Sequence, residues 1–135
     1  KIADYCKNKK IYFCLEANPK LYGCEYINNT MEAISLIRKI NKPYFKLNLD
    51  LGTIIENKEN ISEIISKNSN LIKHVQISAP YLRGISRYKS KIKKLIYYLY
   101  KFKYKGHVSI EMLEKNKNNI KIVSESISIV KLMFK

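Results

Sequence analysis

Four stretches of the sequence each carry a carboxylate or carboxamide late in an apolar run. Glu16 closes "KIYFCLE", Asp50 closes "YFKLNLD", Gln76 lies in "LIKHVQISAP" and Glu111 in "HVSIEM". One charged residue at the end of one strand is ordinarily a solvent-facing terminus. Three carboxylates and a carboxamide in equivalent places on four successive strands form a constellation, because clustered acids shift one another's ionisation and serve in proton transfer. The third stretch adds detail: His74, Gln76 and Ser78 fall two apart, so a strand points all three at one face.

The elements that must position these residues alternate along the chain. A helix is expected from Thr30, a fitting N-cap, to Ile40, with Ile34, Ile37 and Ile40 turned to a core and Asn41-Lys42-Pro43 stopping it. Ser62 to Ser66 suits a short helix. In "RYKSKIKKLIYYLYKFKYK", basic residues and tyrosines interleave, but Ile92, Leu95, Ile96 and Leu99 recur at helical spacing. That predicts an amphipathic helix with a basic outer face from about Tyr88 to Tyr104, with Gly106 leading into the fourth strand. A last helix places Ile120, Val123, Ile127, Val130 and Phe134 on one stripe. Four strands alternating with four helices call for an α/β fold with a parallel sheet and right-handed crossovers. Either a small open sheet or part of a (β/α)8 barrel satisfies this, and in both the active residues gather at the carboxyl ends of the strands.

At 135 residues the chain has room for one core and is expected to form a single unit. Cys6, Cys14 and Cys24 are odd in number and lack a C-x-x-C spacing, which argues against a disulfide framework or zinc knuckle and for a reducing cytoplasm. No apolar run is long enough to span a bilayer. The net charge of +15 raises the question of nucleic acid, yet it is spread through the chain, and Arg38, Arg83 and Arg87 are the only arginines. Planar bidentate reading of phosphates and bases favours arginine, so the composition points to a solvated lysine-rich surface instead. The sequence starts with Lys, which fits the later part of a longer chain.

The pieces "CLEANPKLYGCEYINNTMEA", "LNLDLGTIIENKE", "HVQISAPYL" and "GHVSIEM" occur in the order, and near the intervals, of the sugar phosphate isomerase/epimerase family. From Ile11 to about Leu113 the chain resembles the second half of that family's xylose-isomerase-like TIM barrel. The resemblance implies a partial domain over 1–135 built of four βα units. It places Glu16, Asp50, Gln76 and Glu111 on the family's four metal-ligand positions, with Gln76 where histidine is usual. Thr53 and Ala79 stand where related sequences often have a histidine and an acid, while Asn18, Ser78 and Pro80 are kept. With an amide oxygen beside three carboxylates, such a site is all oxygen and favours Mg²⁺ or Mn²⁺ over Zn²⁺.

The activity so implied is proton transfer next to a carbonyl of a sugar or sugar phosphate. Glu16 and Glu111 would be the proton carriers and Asp50 chiefly a metal anchor. Asn18, His74 and Arg83 would be substrate-binding candidates, although His74 better suits a satisfied core histidine and Arg83 equally suits an exposed loop. The expected partner is the missing amino-terminal half of the barrel or a second copy of the chain. Two rivals stand beside this reading. One is a non-catalytic sugar-binding descendant, favoured by Gln76, Thr53 and Ala79. The other is an apurinic-site endonuclease-like protein, opposed by a supply of only two histidines, His74 and His107.

Overall fold

Strand alternation divides the residues between two unlike faces. In β2 (Phe45–Asp50), Phe45, Leu47 and Leu49 are buried while Lys46 and Asn48 are half-open, the pattern of a strand packed on one side. The computed structural model describes residues 1–113 and 119–134. In it β2 joins β1 (Phe13–Leu15), β3 (Ile72–Ile77) and β4 (His107–Ile110) in one four-stranded sheet of order β1-β2-β3-β4. Every neighbouring pair is parallel. The register shifts between Leu47 and Asn48, where Leu47 pairs with Ile72 but Asn48 with His74. That irregularity explains why Ile72 is buried while His74, two residues on, is half-open.

Helices supply the crossovers: α1 (Ile2–Lys9) precedes β1, α2 (Thr30–Ile40) follows it, and α3 (Leu51–Glu56) and α4 (Ile61–Asn68) lie between β2 and β3. Then α5 (Lys89–Lys101) leads to β4, and α6 (Asn119–Met133) comes last. Leu47, Leu49, Val75 and Ile77 of the sheet share one buried cluster with Ile34 and Ile37 of α2, Ile61 and Ile65 of α4, and Ile92, Leu95 and Leu99 of α5. This core leaves the other face of the sheet to polar side chains.

Local chemistry explains the boundaries. The N-cap of α2 is Asn29 rather than the expected Thr30: its side chain accepts from Glu32 N at 2.9 Å, and the Glu32 carboxylate in turn accepts from Asn28 N at 2.7 Å. Thr30 is buried and donates from its backbone N–H to Glu59 at 2.8 Å, which pins the start of α2 to the loop after α3. Asn41, left-handed at φ 47°, closes α2 on Ile37 O. The sequence reading omitted α1 and α3. The latter is six residues long and owes its first turn to Asp50, a cap hidden in what reads as the end of a strand.

The stripe expected on α6 is rotated. Ile120 is 88% exposed, and Val123 and Ile127 are exposed too, while Ser126 is buried and Ile129, Val130, Met133 and Phe134 pack against the core. The helix carries apolar residues on two faces, and only one of them can meet α5. Tyr100 OH fixes the choice by donating to Phe134 O at 2.9 Å.

β1 and β4 are open edges, and Ile11, Tyr12 and Phe13 are exposed at the first of them, as are Ile120, Val123 and Ile127 on α6. Unpaired parallel strands with apolar flanks are association surfaces. We therefore expect light scattering over a concentration series to show the 135-residue chain self-associating; a monomer that persists at high concentration would contradict this.

Candidate active site

Asp50 is the best-held group of the site. It ends β2 and caps α3, its Oδ1 accepting from Thr53 N at 2.6 Å and its Oδ2 from Ser78 Oγ. Ser78 Oγ also accepts from Gly52 N at 2.7 Å. The contact requires a glycine, because a Cβ on residue 52 would lie 2.6 Å from that same oxygen. Thr53 Oγ1 donates to Ala17 O at 3.0 Å and so ties the segment after Glu16 to α3. Thr53 and Ala79 are both buried, so the two departures from the family pattern serve here as packing and hydrogen-bonding positions.

Glu16 follows β1 and Glu111 follows β4, with Glu111 N extending the parallel ladder to Ile77 O at 3.1 Å. One carboxylate oxygen from each of Glu16, Asp50 and Glu111 lies within 4.8 Å of the others. All three line a cavity of about 350 Å³ whose remaining wall includes Asn18, Tyr22, Tyr81 and Leu82. Among the described residues no lysine or arginine lines it, in a chain with 26 basic and 11 acidic residues. Burial pushes the Glu16 carboxyl up to about 7, with the charges of Asp50 and then Glu111 adding to the effect. Glu111 is raised as well, by burial and then by Asp50. Three carboxylates gathered without a basic partner fit a divalent cation.

The other expected residues fall around this trio. Asn18 lines the cavity. Gln76 sits one strand over from Asp50, its paired residue in the sheet, and its Oε1 accepts from Asn48 Nδ2. His74 lies deeper: its Nε2 is 2.8 Å from Ser109 Oγ across β3 and β4, and burial, followed by the charge of His107, lowers its pKa. Arg83 is exposed, with its guanidinium 5.3 Å from the Tyr81 ring centroid, outside the cavity wall.

Three participants escaped the sequence reading. Asn48 Nδ2 donates to both Glu16 and Gln76, while its buried Oδ1 has no partner among the described residues. Its signal was available, since Asn48 lies two residues before Asp50 and must share that residue's face. Tyr22 and Tyr81 form the apolar rim, with rings 5.7 Å apart and edge-on, and Tyr81 N donates to Tyr22 OH at 2.8 Å. Tyr81 and Leu82 hold positive φ values of 59° and 52°, a conformation that costs bulky residues energy and that no local sequence signal announces.

The sequence matches no family model, and no curated protein matches it. Solved structures do. A 3-keto-D-glucoside 4-epimerase from E. coli superposes with a TM-score of 0.85 at 15% identity, over 97% of this chain and 49% of that one. An L-ribulose 3-epimerase gives 0.80 at 13% identity, over 98% and 50%. A D-psicose 3-epimerase from Clostridium cellulolyticum, solved with D-tagatose, gives 0.79 at 15% identity, over 99% and 53%. The chain spans about half the length of the epimerases it matches. Its fold is therefore half of a xylose-isomerase-like TIM barrel, consistent with the carboxyl-terminal half, as the resemblance implied.

The raised carboxyl of Glu16 has a definite sign. Its folded pKa of about 7 exceeds the ordinary 4.5, so between these values the folded state binds more protons than the unfolded one, and stability falls as pH rises through that window. In thermal melts from pH 5 to pH 8, Glu16→Gln should flatten this decline and melt a few degrees above wild type at pH 8. Mn²⁺ should raise the melting temperature of wild type at pH 8 and have a smaller effect on the variant. A wild-type curve parallel to that of Glu16→Gln would contradict the burial assigned to Glu16.

Proposed function

We propose that the chain is the cation-holding and proton-transferring half of a sugar isomerase or epimerase. One observation carries this: Glu16, Asp50 and Glu111 converge at the carboxyl end of a parallel sheet, in a cavity that no basic side chain lines among the described residues, within a strongly basic chain. The epimerase structures supply the fold context, and the carboxylates supply the chemistry.

Asp50 is suited to hold a cation and not to move protons, because two donors fix the orientation of its oxygens. Glu16, whose carboxyl burial and then the neighbouring charges raise while no cation is bound, is placed to take a proton from carbon and return it. Glu111 faces it across the cavity as the second carrier, so one acid can act on each face or each carbon of the substrate. A divalent ion bound by Glu16, Asp50 and Glu111 would supply electrophilic stabilisation of the enediolate oxygens. Gln76 is the proposed fourth ligand: its amide oxygen keeps a lone pair beside the bond from Asn48. The all-oxygen set favours Mg²⁺ or Mn²⁺ over Zn²⁺. Tyr22 and Tyr81 offer ring faces to the C–H side of a sugar, Asn18 a polar contact, and Arg83 a grip for a phosphate at the rim. His74, already bonded to Ser109, is better suited to ordering the strands than to meeting substrate.

The non-catalytic sugar-binding reading has its own support, in the amide of Gln76 held by Asn48 and in the structural duties of Thr53 and Ala79. An endonuclease has none here, since His74 is engaged by Ser109 and His107 lies exposed at the start of β4. The free cysteines Cys6, Cys14 and Cys24 suit a reducing cytoplasm, and no helix among the described residues is long and apolar enough to cross a membrane.

The test uses the full-length protein and a panel of ketoses, aldoses and their phosphates in deuterated water with Mn²⁺. An active enzyme should incorporate deuterium next to the carbonyl of one of them, and Glu111→Gln should abolish the exchange. Gln76→His should tighten metal binding in calorimetry and shift preference toward Zn²⁺ or Co²⁺, because nitrogen replaces an amide oxygen. Metal binding without exchange on any sugar would favour the non-catalytic descendant, and unchanged metal affinity in both variants would remove the metal site.

A further inference from the structure

The end of the sheet opposite the carboxylates carries a second concavity. A cleft of about 450 Å³ opens at the amino ends of the strands, bordered by Tyr12 before β1, Ile72 at the start of β3 and Gly106 before β4. Four lysines line it: Lys46 on β2, Lys73 on β3, and Lys103 and Lys105 on the turn between α5 and β4. Among the described residues no carboxylate does. Among the described residues none of the four is ion-paired; the pairs found are Lys42 and the amino terminus with Asp4, and Lys67 with Glu63. Lys46 Nζ reaches only Asn70 O, at 3.4 Å, and Lys73 Nζ lies 4.5 Å from the Tyr12 ring centroid.

The cleft is built, not incidental. The basic, aromatic stretch "KFKYK" was expected to continue the amphipathic helix, yet α5 ends at Lys101 and the residues after it turn into the cleft. Tyr104 N donates to Leu99 O and Lys103 N to Tyr100 O, a helix-ending motif that normally places glycine in the left-handed position. Here Lys103 occupies that position at φ 51°. Gly106 then lets the turn press on β3, because a Cβ there would collide with the Tyr104 ring and with Lys73 O. The result brings Lys103 and Lys105 to the strand that carries Lys73. Four like charges around one concavity raise its potential and call for a multivalent counter-ion.

We propose that this cleft binds a compact polyphosphate group, a di- or triphosphate. Lysines from β2, β3 and the β4 turn surround a pocket instead of tracking a line, which suits a short chain of phosphates better than an extended nucleic-acid backbone. All four cations are lysines, point charges suited to phosphate oxygens, and no arginine is present for planar reading of bases. The site lies at the other end of the strands from Glu16, Asp50 and Glu111, so it does not depend on the reaction assigned to them.

Calorimetric titration of the protein with tripolyphosphate and with ATP, without divalent ions so that the carboxylates take no part, tests the site. We expect one saturable equivalent, weakened at least about tenfold in Lys73→Gln/Lys105→Gln. Lys91→Gln/Lys93→Gln, which removes the same charge from the exposed face of α5, should change affinity less than about twofold. Equal binding of the two ligands identifies the phosphate chain as the recognised group, and tighter ATP adds a nucleoside contact. Lys105→Gln alone, on an exposed turn, carries the test if the double variant melts early. No saturable binding, equal weakening in both double variants, or tighter binding of a single-stranded oligonucleotide than of tripolyphosphate would overturn the proposal.

Discussion

Burying three carboxylates side by side is the constraint around which this chain is arranged. Burial first, and then the neighbouring charges, raises the energy of the ionised forms of Glu16 and Glu111, and among the described residues the protein meets that cost with fixed donors rather than with a basic side chain. Thr53 N and Ser78 Oγ hold Asp50, and Asn48 Nδ2 holds Glu16. Each of these donors comes from a neighbouring strand or from the helix that Asp50 itself caps. The site and the sheet are thus stabilised by the same bonds: the cap that starts α3 also orients a carboxylate, and the Gly52 to Ser78 contact that seats α3 on β3 also fixes the donor to that carboxylate.

The charge distribution follows the strand direction. Acids collect at the carboxyl ends, where crossover loops supply Tyr22 and Tyr81, and unpaired lysines collect at the amino ends. Among the described residues, this chain of net charge +15 keeps lysine and arginine out of one cavity and carboxylates out of another. The two concavities carry opposite charge at opposite ends of one sheet, whose apolar face is covered by α2, α4 and α5.

Much of this was legible in the sequence, and the exceptions have physical reasons. The four strands, their parallel order and the helices α2, α4 and α5 follow from apolar periodicity, which burial enforces. The gathering of Glu16, Asp50 and Glu111 follows from their equivalent places on parallel strands. Asn48 was passed over because an asparagine inside an apolar strand carries no charge to draw notice, although its parity with Asp50 gave its direction. The rotation of α6 was not legible, because Ile120, Val123 and Ile127 form as good a stripe as Ile129, Val130 and Met133, and only tertiary contact with α5 selects between them. The cleft lysines come from three separate segments, and nothing local says that they meet.

The most direct test of the central claim is where a cation goes. Crystals of the protein grown with Mn²⁺ and measured at an anomalous wavelength should show one strong peak within coordination distance of Glu16, Asp50 and Glu111, with Gln76 Oε1 turned toward it. A fully occupied peak bound elsewhere, or no peak at the trio at saturating Mn²⁺, would contradict the account.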